Sequence, residues 1–143
     1  MNYRERAGGC VGNAMVTICK THGPDTRLAE IRRLFDDDHV HMALIVAADG
    51  QLLTTIERAD LSEAIPGSIR ARHLGTIASR VISPHQSLEY AMDALKWGRR
   101  RRLAVIDDTG RLLGLLCLKR HGDGFCSDEG VRQRAAEMQS ATA

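Results

Sequence analysis

The chain of 143 residues has few aromatic side chains, which make up 3% of the sequence, so aliphatic residues must fill most of any core. No apolar run approaches the roughly 18 residues that a membrane-spanning helix needs. The polar start "MNYRERAGGC" also lacks the apolar stretch of a secretory signal. These absences predict a cytoplasmic protein with no membrane association.

The chain also lacks a strong excess of one charge, because 20 Lys and Arg residues stand against 18 Asp and Glu residues. Proteins that grip nucleic-acid phosphates usually carry a larger, clustered basic excess. The balance therefore argues against nucleic-acid binding, although Arg99–Arg102 form one basic run within "WGRRRRLAVID".

The four cysteines form no Cys-x-x-Cys pair and no Cys/His ladder of the zinc type. Cys19 and Cys117 lie in apolar runs and are expected to be reduced core residues. The sequence also contains no G-x-S-x-G, P-loop or H-E-x-x-H motif. We therefore expect no metal site and no enzyme activity.

The chain does contain an internal repeat. The segment "PDTRLAEIRRLFDDDHVHMALIVAADGQLLTTIERADL", from Pro24, aligns without a gap with "PHQSLEYAMDALKWGRRRRLAVIDDTGRLLGLLCLKRH", from Pro84, sixty residues later. Leu28 falls on Leu88 in this frame. So many matches in one ungapped frame indicate two copies of one structural unit.

Each copy has the pattern of the same elements. A β-like stretch (Met15–Cys19 or Arg80–Ser83) precedes a helix with apolar residues at helical spacing, and two strands joined by "AADG" or "DDTG" turns follow. In the first copy "ERADLSEAI" then predicts a second helix. Each copy is thus β-α-β-β-α, and because about 60 residues bury only a marginal core, we expect the two to pack together in an α/β fold.

The motifs "VGNAM", "PDTRLAE" and "LAVIDDTGRLLGLL" resemble those of a tandem pair of CBS (cystathionine-β-synthase) domains, also called a Bateman module. The resemblance covers about residues 11–122. It implies two repeats related by pseudo-twofold symmetry, a regulatory role rather than catalysis, and clefts that take an adenosine-containing ligand such as AMP, ATP or S-adenosylmethionine. We divide the chain into a flexible N-terminal segment (1–10), two repeats (11–66 and 67–125) and a helical tail (126–143).

The family motif T-x-x-D, whose Asp holds ribose hydroxyls, falls on "ERAD" in the first repeat. Asp60 takes the ribose position, and its alternative role is to cap a helix. Glu57 replaces the residue that faces a phosphate, where a carboxylate is repulsive. In the second repeat the frame is "CLKR", so Arg120 replaces the ribose Asp and favours an anion or a salt bridge.

The resemblance also places Arg101 and Arg102 where the family presents basic side chains to the cleft, with His41 opposite Arg101 in the first repeat. Arg100 occupies an apolar position, which predicts a distorted helix end after Gly98. The alternative for the basic run is a solvated helix-to-strand junction. The candidate ligand-binding residues are Asp60, Glu57, His41, Arg101, Arg102, Arg120 and, through its hydroxyl, Thr17.

The resulting hypothesis is a sensor protein that binds an adenosyl ligand and regulates a partner protein of unknown identity. Two alternatives stay open. One is a ligand-free CBS dimerisation or scaffold module, and the other is nucleic-acid binding through Arg99–Arg102. We expect a homodimer, for which the acidic cluster Asp36–Asp38 and the basic run offer complementary charges.

Overall fold

The computed structural model of the chain describes residues 9–122 and 124–128. Three α-helices and five β-strands are formed, with 3₁₀ turns at Arg58–Asp60 and Ala71–His73. The helices are α1 (Val11–Ala14), α2 (Leu28–Leu34) and α3 (Leu88–Gly98). The strands are β1 (Ala43–Val46), β2 (Leu52–Ile56), β3 (Val81–Ile82), β4 (Arg102–Ile106) and β5 (Leu112–Cys117). This mixed α/β architecture confirms the predicted fold class.

The strands form two small sheets, one for each copy. Antiparallel β1 and β2 make the first, and β3, β4 and β5 make the second, in which β3 runs parallel to β4 and β4 antiparallel to β5. In the first copy a single parallel bridge from His22 to Ile45 stands where β3 pairs with β4 through Ile82 and Val105. Both hairpins change register near the end of their first strand.

The segment that precedes each copy, residues 10–18 or 70–78, is called its lead-in here. Each lead-in forms β-bridges with the other copy. Two pairs of equivalent bridges follow this rule: Cys10–Ser87 with Arg27–Arg70, and Val16–Leu115 with Thr55–Thr76. Gln51 bridges Arg111, its own equivalent, which marks the pseudo-twofold axis. The two copies are therefore related by the pseudo-twofold symmetry that the resemblance to CBS-domain pairs implies.

Three apolar clusters hold this arrangement. One cluster joins α2, β1 and β2 with Ala71 from the lead-in of the second copy. A second joins α3, β4 and β5 with Val11 from the lead-in of the first copy. The third contains Met42, Leu44 and Ala104 and so lies between the copies. Because the apolar surface of each copy is covered partly by the other, neither is expected to be stable alone.

Each lead-in approaches a strand of the other copy so closely that one of the two contacting segments needs a glycine. The glycine lies in the strand in one contact and in the lead-in in the other. At Gly114 in β5, a Cβ atom would lie 2.6 Å from the carbonyl oxygen of Val16. The equivalent position in β2 is Thr54, and there the glycine stands in the lead-in instead. A Cβ on Gly75, which has φ +70°, would meet the Thr55 carbonyl oxygen. In the first copy, strand β2 has Thr54 where β5 has Gly114, and Gly75 of the lead-in leaves the room that this contact needs.

The two helices that follow the lead-ins differ in length. In α3 the Ser87 hydroxyl accepts a hydrogen bond from the Tyr90 amide at 3.1 Å, whereas Arg27 before α2 gives no side-chain cap. The helix α3 ends at Arg99, which adopts a left-handed conformation with φ 54°. This left-handed residue is the distorted helix end that the sequence predicts after Gly98.

Three sequence expectations differ from the structure. "ERADLSEAI" forms only a 3₁₀ turn, at Arg58–Asp60, and the chain leaves this turn in an extended conformation at Leu61. The β-like stretch at residues 15–19 makes only the Val16 bridge. Cys10, assigned to the flexible N-terminal segment, is buried and bridged to Ser87. Residues 1–8 and most of the tail lie outside the described residues, and within the described ranges no helix is long and apolar enough to span a membrane.

Candidate functional site: two clefts between the copies

Two clefts related by the pseudo-twofold axis lie where the copies meet. The first cleft has an apolar part of about 680 Å³, which Val81, Ala94 and Leu103 help to line, and an ionic part of about 290 Å³ around Glu57 and residues 98–102. The second cleft has an apolar part of about 440 Å³ around residues 39–44 and a basic part of about 350 Å³. Volumes of this size are typical of small-molecule sites.

In the first cleft, Asp60 is already bound by an arginine that the sequence analysis did not single out. Arg80 Nη1 donates to Asp60 Oδ2 at 2.6 Å, and Arg80 Nη2 donates to Oδ1 at 3.1 Å. Asp60 Oδ2 also accepts from the Glu57 amide at 2.8 Å. The carboxylate therefore makes the helix-cap contact and a bidentate ion pair, and both of its oxygens are used within the chain.

Glu57 continues this ionic network. Its Oε1 lies 3.0 Å from Arg80 Nε, and its Oε2 accepts from Arg100 Nε at 2.9 Å. The side chains of all three residues are less than one-fifth exposed. The carboxylate that the sequence places against a ligand phosphate is instead held between two guanidinium groups. The two acids and two arginines of this network balance one another in charge, whereas Arg58, Arg99, Arg101 and Arg102 also line the ionic part of the first cleft.

Arg100 reaches Glu57 because the end of α3 turns it inward. The left-handed Arg99 reverses the chain, and Arg100 Nη1 then donates to the Ser79 carbonyl at 3.1 Å. A Cβ on Gly98 would lie 2.5 Å from Arg100 Nη1, so glycine leaves room for this guanidinium. The unexpected arginine at an apolar position is therefore a member of the network.

The network changes the pKa values of Asp60 and Arg80. Burial raises the pKa of the Asp60 carboxyl, but hydrogen bonds from Arg80 and from the Glu57 amide outweigh it, and the pKa lies below its usual range. The hydrogen bond to Asp60 raises the pKa of Arg80 against the opposing effect of burial. Both groups therefore stay charged at neutral pH.

The second cleft carries different side chains at every equivalent position of that network. Cys117 replaces Glu57, Arg120 replaces Asp60, Lys20 replaces Arg80 and Val40 replaces Arg100. The basic part is lined by His39, His41, Arg101, Arg102, Lys119, Arg120 and Cys126. No acidic side chain belongs to that lining, so this part of the second cleft has a strong excess of positive charge, whereas Asp37 lines the apolar part.

His41, Arg101 and Arg102 lie at the centre, where they line the ionic part of the first cleft and the basic part of the second. Arg101 Nη1 lies 3.4 Å from His41 Nε2, and Arg101 Nη2 donates to the Leu118 carbonyl at 3.3 Å. Arg101 Nε is buried and has no hydrogen-bond partner within the described part of the chain. A buried guanidinium nitrogen without a partner is costly, and an anion is the group that would relieve it.

Two histidines of the second cleft are held in the neutral form. Burial, followed by repulsion from Arg102 and Arg101, lowers the pKa of His41. Burial, followed by repulsion from Lys20, lowers the pKa of His22, whose Nε2 is also buried without a partner among the described residues. An anion bound beside His41 would oppose this repulsion and favour its protonation.

Thr17 contacts the C-terminal segment. Its amide donates to Asp128 Oδ1 at 2.6 Å, its hydroxyl donates to Oδ2 at 2.8 Å, and the Ile18 amide donates to Oδ1 at 3.2 Å. Ile18 lines the apolar part of the second cleft. The Thr17 hydroxyl, which the resemblance offers to a ligand, thus donates to a carboxylate of the chain itself.

The cysteines form no disulfide bond among the described residues. Cys19, Cys117 and Cys126 line the second cleft. Burial, followed by the charge of Asp128, raises the pKa of Cys19, so this thiol stays protonated. Among the described residues no group of three or more His, Cys, Asp or Glu side chains is placed to hold a metal ion.

The structure thus brings the candidate residues to two places. Asp60 and Glu57 lie in the closed network, and His41, Arg101, Arg102 and Arg120 line the basic part of the second cleft. Sequence reasoning missed Arg80 and Asp128. Arg80 precedes the aligned segment, and Asp128 lies 111 residues from Thr17, so no local pattern links either residue to its partner.

Comparisons with known proteins agree with this architecture. A family model described as the CBS domain matches residues 75–120. The CBS-pair domain of a putative Mg²⁺ transporter from Shewanella oneidensis is 23% identical with a TM-score of 0.69, over 93% of this chain and 75% of that one. CBSX2, solved in complex with AMP, is 20% identical with a TM-score of 0.64, over 91% of this chain and 98% of that one.

A third similar structure is a putative acetoin utilization protein from Vibrio cholerae. It is 16% identical with a TM-score of 0.64, over 93% of this chain and 94% of that one. No curated protein matches the chain. At these identities the solved structures establish the fold, and the family model identifies the second repeat.

Proposed function

Because this chain is a tandem CBS-domain protein, we propose that it is a regulatory module that binds one adenine nucleotide per chain, in the second cleft. The proposal rests on Arg101, whose buried Nε has no partner within the described residues and which lies among the basic side chains of that cleft. The nucleotide phosphates would contact His41, Arg101 and Arg102, and its base would enter the adjoining apolar part. The AMP complex of the similar CBSX2 supports this ligand class.

The first cleft does not supply the second nucleotide site in this proposal. Opening it for a ribose requires Asp60 to exchange a bidentate arginine pair for two hydroxyl groups, which are weaker partners. Phosphates also have to approach Glu57. One site per chain is therefore expected, with Asp60 acting in the structure rather than in binding.

Thermal unfolding with ATP, ADP, AMP, adenosine, S-adenosylmethionine and NADH tests the proposal. A ligand at ten times its Kd stabilises the folded state by about 1.4 kcal/mol, which at this chain length raises the Tm by roughly 3–6 °C. The shift should grow with the number of phosphates and be smallest for adenosine. Equal shifts for ATP and adenosine would contradict the assignment of the basic part to phosphates.

The variant Arg101→Met locates the site. Losing a charged hydrogen-bond donor to phosphate costs about 1.5–3 kcal/mol, so the Kd for ATP should rise roughly tenfold or more. The matched control is Arg111→Met, because Arg111 is exposed at the β4–β5 turn and lies outside both clefts. Its Kd should stay within about twofold of wild type. If no ligand binds at millimolar concentration, the chain is the ligand-free scaffold instead.

We also propose that two chains pair through α3, whose Trp97 is 93% exposed and Tyr90 55% exposed. Exposed Lys96 and Arg99 flank Trp97, and the exposed acidic cluster Asp36–Asp38 occupies the equivalent region of the first repeat. Two copies can therefore pair aromatic surface and opposite charges. Reversing the three acids to Lys should turn a dimer into a monomer by mass in solution, whereas a monomeric wild type would contradict the pairing.

A further inference from the structure

The C-terminal segment Gly124–Asp128, called the strap here, runs along the edge of the second cleft. Phe125 bridges Leu118, and the Cys126 amide donates to the Cys117 carbonyl at 2.8 Å, so the strap continues from β5 as a short antiparallel return. Cys126 lines both the apolar and the basic parts of the second cleft. The strap therefore forms part of the cleft wall.

The end of the strap is fastened by one carboxylate. The Asp128 carboxylate accepts hydrogen bonds from the main-chain N–H groups of Thr17 and Ile18, at 2.6 and 3.2 Å, and from the Thr17 hydroxyl at 2.8 Å. Charge-assisted bonds of this kind are about twice as strong as neutral ones. A single side chain thus holds the strap against the lead-in of the first repeat.

The carboxylate also places a negative charge near the second cleft, whose basic part has no acidic lining residue. Its charge is felt by Cys19, a lining residue, since it contributes after burial to the raised pKa of that thiol. The first cleft has no counterpart of this contact among the described residues. The residues equivalent to Thr17 and Ile18 are Ile77 and Ala78, and the Ala78 amide is bonded to the hydroxyl of Thr76 at 3.0 Å.

We propose that the strap is a built-in competitor of the second cleft: the Asp128 carboxylate holds the lead-in donors and repels anions, so an anionic ligand binds more tightly when Asp128 is released. This inference rests on the proposed function of the second cleft as a nucleotide site. It makes the tail that follows the second repeat a regulator of occupancy, because whatever draws the strap away frees the cleft.

Two variants of the full chain separate the effect of the Asp128 charge from the effect of its hydrogen bonds to Thr17 and Ile18. Asp128→Asn removes the charge and keeps the shape, and Asp128→Ala removes the fastening. The matched control is Asp108→Asn, since Asp108 is an exposed acid in the β4–β5 turn. The Kd for ATP should fall about threefold or more in Asp128→Asn, as expected for removing a like charge at a distance of several ångström, and should stay within about twofold in the control.

A Kd for ATP that is unchanged or higher in both Asp128 variants overturns the proposal. Hydrogen exchange of the Thr17 and Ile18 amides gives a readout that needs no nucleotide. Exchange should be faster in Asp128→Ala than in wild type and the same in Asp108→Asn. If no variant binds ATP, the proposed function fails, and the exchange rates still decide whether Asp128 fastens the strap: equal rates overturn it.

Discussion

The two clefts lie at equivalent places in the two copies and carry different chemistry. In the first, Glu57, Asp60, Arg80 and Arg100 neutralise one another, and in the second the equivalent positions carry Cys117, Arg120, Lys20 and Val40. The four residues of the first cleft form an ionic joint between the copies, whereas the equivalent residues of the second cleft include no acid that could form one. Differences at a few equivalent positions can therefore give two related clefts different chemistry within one fold.

The largest expected effect comes from breaking the joint. Arg80→Met leaves Asp60 without its bidentate partner and Glu57 without one of its two arginine partners, and removing one member of a buried ion pair costs about 3 kcal/mol or more. Urea unfolding should show this loss in the free energy of unfolding. The equivalent change in the second cleft, Lys20→Met, removes an exposed charge and should cost less than about 0.5 kcal/mol. Similar losses for both variants would contradict the division of roles.

A smaller loss of stability tests the role of Gly75, which leaves room at the contact where β2 has no glycine. Gly75→Ala forces a Cβ against the Thr55 carbonyl at a residue with φ +70°, and backbone strain of this kind costs about 2 kcal/mol. Gly23→Ala is the matched control, because a Cβ there meets no atom within 4 Å. It should be neutral or slightly stabilising, since alanine restricts the unfolded chain. Equal melting temperatures for the two variants would contradict the close approach at Gly75.

The sequence predicted the features that recur and missed those that do not. Sixty-residue periodicity predicted the strands and hairpins of both copies, because equivalent residues meet equivalent neighbours, and the resemblance to CBS-domain pairs implied the pseudo-twofold symmetry. It could not give Arg80 with Asp60, or Thr17 with Asp128, because each pair occurs once and joins segments with no shared pattern. Thr54 illustrates the limit: it occupies the position equivalent to Gly114, and only the contact between β2 and residues 75–76 shows that Gly75 supplies the room there.

The smallest expected effect is a difference between the two clefts in the pH range over which the folded state loses stability. His22 and His41 belong to the second cleft, and their folded-state pKa values lie below 6.5, mainly because of burial. The unfolded chain therefore takes up protons first as the pH falls below 6.5, so the stability that these histidines contribute is complete above that pH and is lost on acidification. The stability that the first cleft contributes is lost at lower pH, because the pKa of Asp60 is held below 3.8 in the folded state.

Urea unfolding of the ligand-free chain should consequently show two separate losses of stability. Replacing His41 by Asn should flatten the change just below pH 6.5 and leave the change below pH 3.8 in place. Replacing Asp60 by Asn should do the reverse. Adding ATP should reduce the loss near pH 6.5, since a bound phosphate favours protonated His41 over the neutral form. An identical pH profile for wild type and His41→Asn would mean that the central histidine is not held neutral by the arginines beside it, and the electrostatic contrast between the clefts would then rest on the ionic joint alone.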